Sequence, residues 1–389
     1  MSLVAAAALV ACGGGGSTSA TPPATTPPAA TVTPVTDAVT TASSQTATTI
    51  GASVIAGASS DEEVYNLAAD VGDSWQLVLN NKTNTYVIKV TLSQFNLRDS
   101  APAAFIKTTV GSITTIKDAS GGALSVQIDN RTKTVAGNVT LGSKISSVSG
   151  SGYQIADVGK LAGNYFFAGS VRNASNGQYR DTPLGGFIVA ANGTDITVCD
   201  GSIPTNGVCT AVVAGSPVVT KSLKISKDGG LLRIKDGARD FGILHVSAGD
   251  RGPVLIIDRF GLNEEAVSRT GVFYGAKFAK LAGTEFDGNW TCSSRGFEQA
   301  KLVVNGNSYT VTDNQKAPQQ GTLQYNKAVS SKGVVDVNGV MIAQNNNEGL
   351  SNAALVLPLS SSLAVVVESP TANSTQFGEV KNITICRKV

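Results

Sequence analysis

The chain has 389 residues, with 30 Lys and Arg against 28 Asp and Glu, a formal net charge of +2 and a single histidine. One histidine excludes multi-histidine metal sites and most histidine-based catalysis. The basic residues are scattered, so no nucleic-acid footprint is present. The 42% hydrophobic content is enough for ordinary cores, and the length suggests two or three domains of about 100–200 residues each.

Residues 1–11 are small and apolar, and too few to cross a bilayer as a helix. They read as the end of a signal-peptide apolar region. Leu9-Val10-Ala11-Cys12 resembles the bacterial lipobox, whose cysteine is acylated and becomes the first residue of the mature chain. The resemblance implies a lipid anchor at Cys12. Gly13 follows the cysteine instead of Asp, which by the sorting rule of that class implies the outer membrane, with the body periplasmic or surface-exposed. No Lys or Arg precedes the apolar run, so the reading places the true start further upstream.

Residues 13–60 read as a disordered linker. The stretch GGGGSTSATPPATTPPAATVTPVT has almost no large apolar side chain and cannot offset the entropy of ordering. A short helix is expected next. Ser60 and Glu63 have capping-box spacing, Val64, Leu67, Ala68 and Val71 share a helical face, and Gly72 could end it.

From Trp75 onward the period is two. Leu77 and Leu79 alternate with other positions, then Asn80-Asn81 marks a turn, and Tyr86, Ile88, Val90 and Leu92 alternate again. A second hairpin is read around Asp129-Asn130. These belong to an N-terminal β domain over 61–150.

The remainder reads as two copies of one unit, 157–275 and 276–389, each of roughly 110 residues. Lys160-Leu161-Ala162-Gly163 recurs as Lys280-Leu281-Ala282-Gly283. GFIVAANGTDITVCD matches QAKLVVNGNSYTVTD, with Gly193 on Gly306. GLLRIKDG matches GVVDVNG, with Gly230 on Gly333. PVLIIDR matches LAVVVES, with Asp258 on Glu368. The pairs Asn192-Gly193, Asp228-Gly229, Asp236-Gly237, Asn305-Gly306 and Asn338-Gly339 are tight-hairpin signals, because a type I′ turn needs positive φ at both central residues. Consecutive hairpins make an up-and-down meander, which must close or pack to hide its edges. The predicted fold is therefore all-β: tandem small antiparallel β-barrels, or else β-sandwiches.

Five cysteines are present. With Cys12 assigned to lipid, Cys199, Cys209, Cys292 and Cys386 form an even set suited to an oxidising compartment. Cys199 and Cys209 flank a turn-rich connector and are expected to bond to each other. Cys292 lies in the expected first strand of the last copy and Cys386 in its last apolar run. Closure of a barrel makes those strands neighbours, so this pair is expected to bond too.

Gly163-Asn164-Tyr165 and Gly288-Asn289-Trp290 open the two copies, and resemble the Gly-x-Trp start of the first strand in lipocalin and avidin barrels, where the ring plugs the barrel floor. YVIKVTLSQFNL, KLAGNYFF, ITVCDGSIPTNGVC, GLLRIKDG and PVLIID resemble a group of betaproteobacterial lipoproteins that carries no assigned activity. GVFYGAKFAKLAGT is similar to a segment of transferrin-binding surface lipoproteins, which implies a lipid anchor, a Gly-rich leader and barrels.

The chemistry of an enzyme is not written in the sequence. No Gly-x-Ser-x-Gly elbow, phosphate loop or twelve-residue calcium loop is present. His245 sits in an apolar strand pattern and reads as structural. Trp75 and Trp290 begin strands and read as core. The expected function is a membrane-anchored lipoprotein with non-catalytic β-domains for binding or envelope structure, with a protein or glycan as ligand and neither cofactor nor metal. A rival is a secreted hydrolase acting on glycans through a carboxylate pair drawn from Asp250, Asp258, Glu264, Glu265, Asp287 and Glu298. A third reading is a calycin-like carrier of a small apolar ligand, which needs an open barrel cavity.

Overall fold

The computed structural model describes residues 37–389 except 178, 182–183, 201, 213, 264, 295–296, 314–316, 331–332, 347–352 and 369–382. Cys12 lies outside the described residues. Among those described, the strands close into three eight-stranded antiparallel barrels in tandem.

The first barrel runs through Glu62–Ala69, Asp73–Asn80, Thr85–Leu92, Ala103–Val110, Ile113–Asp118, Leu124–Asp129, Thr134–Leu141 and Lys144–Ser151. Its first strand closes on its last, with Leu67 opposite Gly150. Alternate residues Tyr65, Leu67, Trp75, Leu77, Leu79, Tyr86, Ile88, Ile116, Val126 and Ile128 fill the interior. The predicted helix after Ser60 is thus a strand. Tyr65, Leu67 and Ala69 face the barrel core, while Val64 and Ala68 are buried on the outside. A strand buried on both faces gives a nearly continuous apolar run, which helical spacing also satisfies.

The middle barrel comprises Gly163–Asn173, Leu184–Val189, Asp195–Asp200, Val219–Asp228, Leu231–Asp236, Arg239–Gly249, Gly252–Arg259 and Arg269–Lys277, with a short strand Tyr179–Asp181 added to its first. Closure is made by Gly163–Asn173 against Arg269–Lys277 over nine residue pairs. The C-terminal barrel comprises Gly288–Ser294, Phe297–Asn305, Ser308–Asp313, Gln319–Ser330, Gly333–Asn345, Ala354–Pro358, Leu363–Glu368 and Ile383–Lys388. Gly193 and Gly306 both sit between second and third strands, and PVLIIDR and LAVVVES both lie at the seventh. Four of the five Asn-Gly or Asp-Gly signals mark hairpin turns. The fifth does not: Asn338-Gly339 lies inside the strand Gly333–Asn345, where the register shifts opposite Asn326. Gly339 takes φ +87° there, so the dipeptide makes a bulge that bends a long strand.

The expected linker over 13–60 also needs correction. Ala38–Ile50 is an α-helix and Ala52–Val54 a strand paired with Tyr153–Ile155. Asp37 caps the helix by accepting from the Val39 N–H at 3.1 Å, and Gly51 ends it in the left-handed region. Ser43, Ala47 and Ile50 are its buried face. Ser43 donates to the Ala248 carbonyl at 2.6 Å. Ala47 and Ile50 join Ile155, Val158 and Leu161 in the core of the middle barrel. So small an apolar face is hard to separate from linker composition.

The barrels pack on one another through a shared core. Ala68 and Ala136 of the first barrel, Phe166, Ala168, Val254, Ile256, Val272 and Tyr274 of the middle one, and Leu355, Leu357, Val365 and Val367 of the last form one buried cluster. These outward-facing apolar residues are what hold the three meanders together.

Candidate functional site

Both cysteine pairs are bonded. Cys199 and Cys209 have Cα atoms 5.3 Å apart and hold a small hairpin, Ser202–Thr205 with Val208–Ala211. This tongue lies against the middle barrel at Gly186, where an added Cβ would fall 2.0 Å from Pro204. Only glycine permits that approach. Cys292 and Cys386 stand directly opposite each other on the first and last strands of the C-terminal barrel, with Cα atoms 4.0 Å apart.

Trp75 and Trp290 are fully buried and belong to barrel cores. The Trp290 indole N–H donates to the Phe286 carbonyl at 2.7 Å, and the Tyr165 hydroxyl donates to the Leu161 carbonyl at 2.6 Å. The two opening motifs thus make the same lock, ring to a carbonyl four residues earlier. In each, a lysine of the last strand stands over the ring: Lys277 at 4.6 Å from the Tyr165 centroid and Lys388 at 5.7 Å from that of Trp290.

The carboxylates named from sequence do not gather. Asp250 accepts from the Ser361 N–H at 2.9 Å, Asp287 accepts from the Gly306 N–H at 2.7 Å, and Glu265 pairs with Arg269 at 3.5 Å. Glu264 and the side chain of Glu298 lie outside the described residues. Asp258 is buried in the seam between the first two barrels, beside His245. There the Ser74 hydroxyl donates to Asp258 Oδ2 at 2.5 Å and lies 3.2 Å from His245 Nε2. All three are buried. Burial pushes the imidazole down to about 4 and the Asp258 carboxyl well above the usual carboxylate range. In a catalytic triad the histidine bridges serine and carboxylate. Here the serine bridges, and the trio acts as a polar clasp between barrels. The same seam carries a Ser149 hydroxyl bonded to the Tyr274 hydroxyl at 2.8 Å.

Next to this clasp the seam opens into a cleft of about 500 Å³. The first barrel contributes Asp70 and Val71 from the turn after its first strand, Phe95 from a loop, and Lys144 and Ile145 from its last strand. The middle barrel contributes Arg172, Asn173, Ala174, Ser175, Asn176 and Gly177 from the end of its first strand and the turn beyond, and Thr270. Gly72 sets the approach. Its φ is +85°, and a Cβ there would lie 2.4 Å from the Thr270 Cβ. Asp70 Oδ1 accepts from the Ser146 hydroxyl at 2.6 Å and the Ser147 N–H at 3.2 Å. The Arg172 guanidinium donates to the Gly177 carbonyl at 3.2 Å. The Lys144 ammonium stands 3.8 Å above the Phe95 ring. The lining thus combines hydroxyls, amides, two cations and one carboxylate.

A second cavity, of about 240 Å³, is apolar. Phe166, Leu184 and Ile203 of the middle barrel and its tongue face Ala328, Val335 and Val337 of the C-terminal barrel. Both cavities lie between barrels, while the interiors are packed with side chains. Among the described residues no helix is long and apolar enough to cross a membrane, and no three His, Cys, Asp or Glu side chains are grouped to hold a metal ion.

No family profile matches the chain, and no curated protein matches it by sequence. Solved structures do. A DUF3598-family protein of unknown function from Nostoc punctiforme is 10% identical over 59% of this chain and 96% of its own, with a TM-score of 0.22. Transferrin-binding protein B from Neisseria meningitidis is 12% identical over 81% of this chain and 65% of its own, with a TM-score of 0.20. The same protein from Haemophilus parasuis is 8% identical over 81% and 64%, at 0.21. The chain thus spans just under two thirds of those transferrin-binding chains. At such TM-scores the likenesses carry no argument about function.

Proposed function

We propose that this chain is a lipid-anchored bacterial envelope protein whose barrels form a non-catalytic binding body, and that the cleft between the first two barrels receives an acidic glycan. The observation that carries this reading is the lining of the cleft. Asn173, Ser175, Asn176 and Thr270 supply amide and hydroxyl groups that match sugar hydroxyls. Lys144 and Arg172 supply positive charge for a carboxylate or phosphate on the sugar. The hydrolase reading needs two carboxylates facing each other across about 5–10 Å. Among the described residues the cleft has Asp70 as its one carboxylate, already accepting two hydrogen bonds. The anchor at Cys12 rests on the lipobox resemblance, and Cys12→Ser should release the protein from membranes.

The test is calorimetric titration of the full Cys12→Ser chain with oligosaccharides bearing carboxylate or phosphate, beside neutral ones of equal length. Saturable binding of the charged series is expected, weakened at least tenfold by Ser175→Trp, which fills the cleft, and by Lys144→Glu. Equal binding of both series, or binding indifferent to Ser175→Trp, refutes the assignment. Turnover of the oligosaccharide would restore the hydrolase reading.

A further inference from the structure

Among the described residues, the fourth strand of the first barrel is open on one side. The strand Ala103–Val110 meets Thr85–Leu92 only at Thr85 with Ala104 and Tyr86 with Ala103. Its other edge is fully paired, from Phe105 opposite Asp118 to Val110 opposite Ile113. The neighbouring edge of Thr85–Leu92 is sealed by a loop, where Ser100 N–H donates to the Ile88 carbonyl at 2.9 Å, the Ile88 N–H to Ser100 Oγ at 2.9 Å and the Val90 N–H to Asp99 Oδ1 at 2.7 Å. Among the described residues no such loop covers 106–110, which runs on past the turn at 81–84. The Phe105 N–H still donates to the Asn84 carbonyl at 2.9 Å. Alternate residues of a strand direct their backbone groups to opposite sides, so Lys107 and Thr109 turn their N–H and C=O toward the open edge.

The side chains on this edge are also unusual for an unguarded strand. Ile106 is 57% exposed and Val110 76% exposed, and β-branched residues fill four of the five positions from 106 to 110. Edge strands are commonly protected by an outward lysine. Lys107 does not serve in that way: its ammonium is drawn to Asn81 Oδ1 at 3.0 Å and Glu63 Oε1 at 3.7 Å.

We propose that this edge is a self-association surface, and that two copies of the chain pair antiparallel through 106–110 about a two-fold axis at Thr108. The register follows from the residues. Lys107 of each copy falls opposite Thr109 of the other as a hydrogen-bonded pair, so all four outward backbone groups on each strand find partners. Thr108 meets Thr108. Ile106 meets Val110 twice, in non-bonded pairs where side chains approach most closely. No like charges face each other, and the two exposed apolar residues cover one another. The interface is isologous, as a two-fold dimer requires. This association is independent of the ligand cleft.

The experiment is sedimentation of the full Cys12→Ser chain over a wide concentration range, so that lipid-driven association does not contribute. The mass should rise from one chain toward two with concentration. Thr108→Lys, an exposed change that places two lysines on the axis, should hold the protein as a monomer at every concentration. Thr108→Cys should give a disulfide-linked dimer under mild oxidation, because the two Cα atoms would stand about 4.5 Å apart. Lys117→Cys, exposed but one strand further from the axis, should not. A monomer at all concentrations overturns the proposal. So does a dimer untouched by Thr108→Lys, or equal cross-linking at both cysteine positions.

Discussion

The middle and C-terminal barrels begin alike and end differently. Each opens on Gly-Asn-aromatic, locks the ring to a carbonyl four residues back, and sets a lysine of its last strand over the ring. The middle barrel then closes through nine residue pairs between first and last strands. Among the described residues the C-terminal barrel closes through four, one of which is Cys292 with Cys386. The barrel with the shorter seam is the one with a covalent staple. The first barrel also closes through four pairs and contains no cysteine, so the cross-link reinforces the short seam of the C-terminal barrel without being a general requirement of short seams.

Removing the staple is the largest test of that difference. The Cys292–Cys386 bond closes a loop with a sequence separation of 94; on chain entropy this contributes about 4–5 kcal/mol. The Cys199–Cys209 bond spans a separation of only 10, which gives about 3 kcal/mol and acts on the tongue. Cys292→Ala with Cys386→Ala should lower hydrogen-exchange protection in 288–294 and 383–388 while leaving 163–173 and 269–277 protected. Equal loss in both barrels would mean that the seams do not differ as argued.

The barrels also dock differently, although both use the outer face of their sixth and seventh strands. The C-terminal barrel presents Leu355, Leu357, Val365 and Val367 to the middle one. The middle barrel presents His245 and Asp258 to Ser74 of the first. Only the second of these contacts should respond to pH. Burial lowers the His245 imidazole from 6.5 to about 4. Its stabilising contribution is therefore complete above about 6.5 and is lost as pH falls toward 4. Asp258 works the other way, because burial raises its carboxyl and the folded chain gains stability as that proton binds. His245→Gln isolates the aspartate. Between pH 7 and 4 the stability of this variant relative to wild type should rise by about 3 kcal/mol, read by urea denaturation at each pH. A pH-independent difference would place the histidine outside the titration.

Much of this was legible in the chain. Leu77, Leu79, Tyr86 and Ile88 keep a period of two because one face of their strands lines a barrel. The Gly-Asn-aromatic segments fall at matching places because they form the same lock, whereas only the first KLAG supplies its acceptor, Leu161, the second lock using Phe286. What was hidden has physical causes. Glu62–Ala69 is buried on both faces and so loses its alternation. Ala38–Ile50 buries only Ser43, Ala47 and Ile50, and reads as linker. Asn338-Gly339 has turn chemistry but spends it on a bulge. Ser74 and Asp258 are 184 residues apart, and the cleft is lined from two barrels. Neither leaves a local signal, because each exists only once the barrels dock.

The smallest test concerns the lysines over the rings. Lys277 stands 4.6 Å from the Tyr165 centroid and also donates to the Ala162 carbonyl at 2.9 Å. Lys388 stands 5.7 Å from the Trp290 centroid. A cation over an aromatic face at such distances contributes about 0.5–1 kcal/mol near the surface, more when desolvated. Lys277 is half-buried, and burial lowers its pKa, so part of its attraction to the ring is offset by lost hydration. Its removal nonetheless leaves the Ala162 carbonyl without that donor, which adds about 1 kcal/mol. Lys277→Met should therefore cost about 1–2 kcal/mol and Lys388→Met about 0.5 kcal/mol or less. Methionine keeps most of the apolar stem, so packing changes little in either case. The ranking should persist in high salt, since the Lys277 hydrogen bond is short and sheltered while the longer Lys388 contact is screened. If Lys388→Met proved the costlier change, the tryptophan face would outweigh geometry, and the two locks would be alike in form but not in energy.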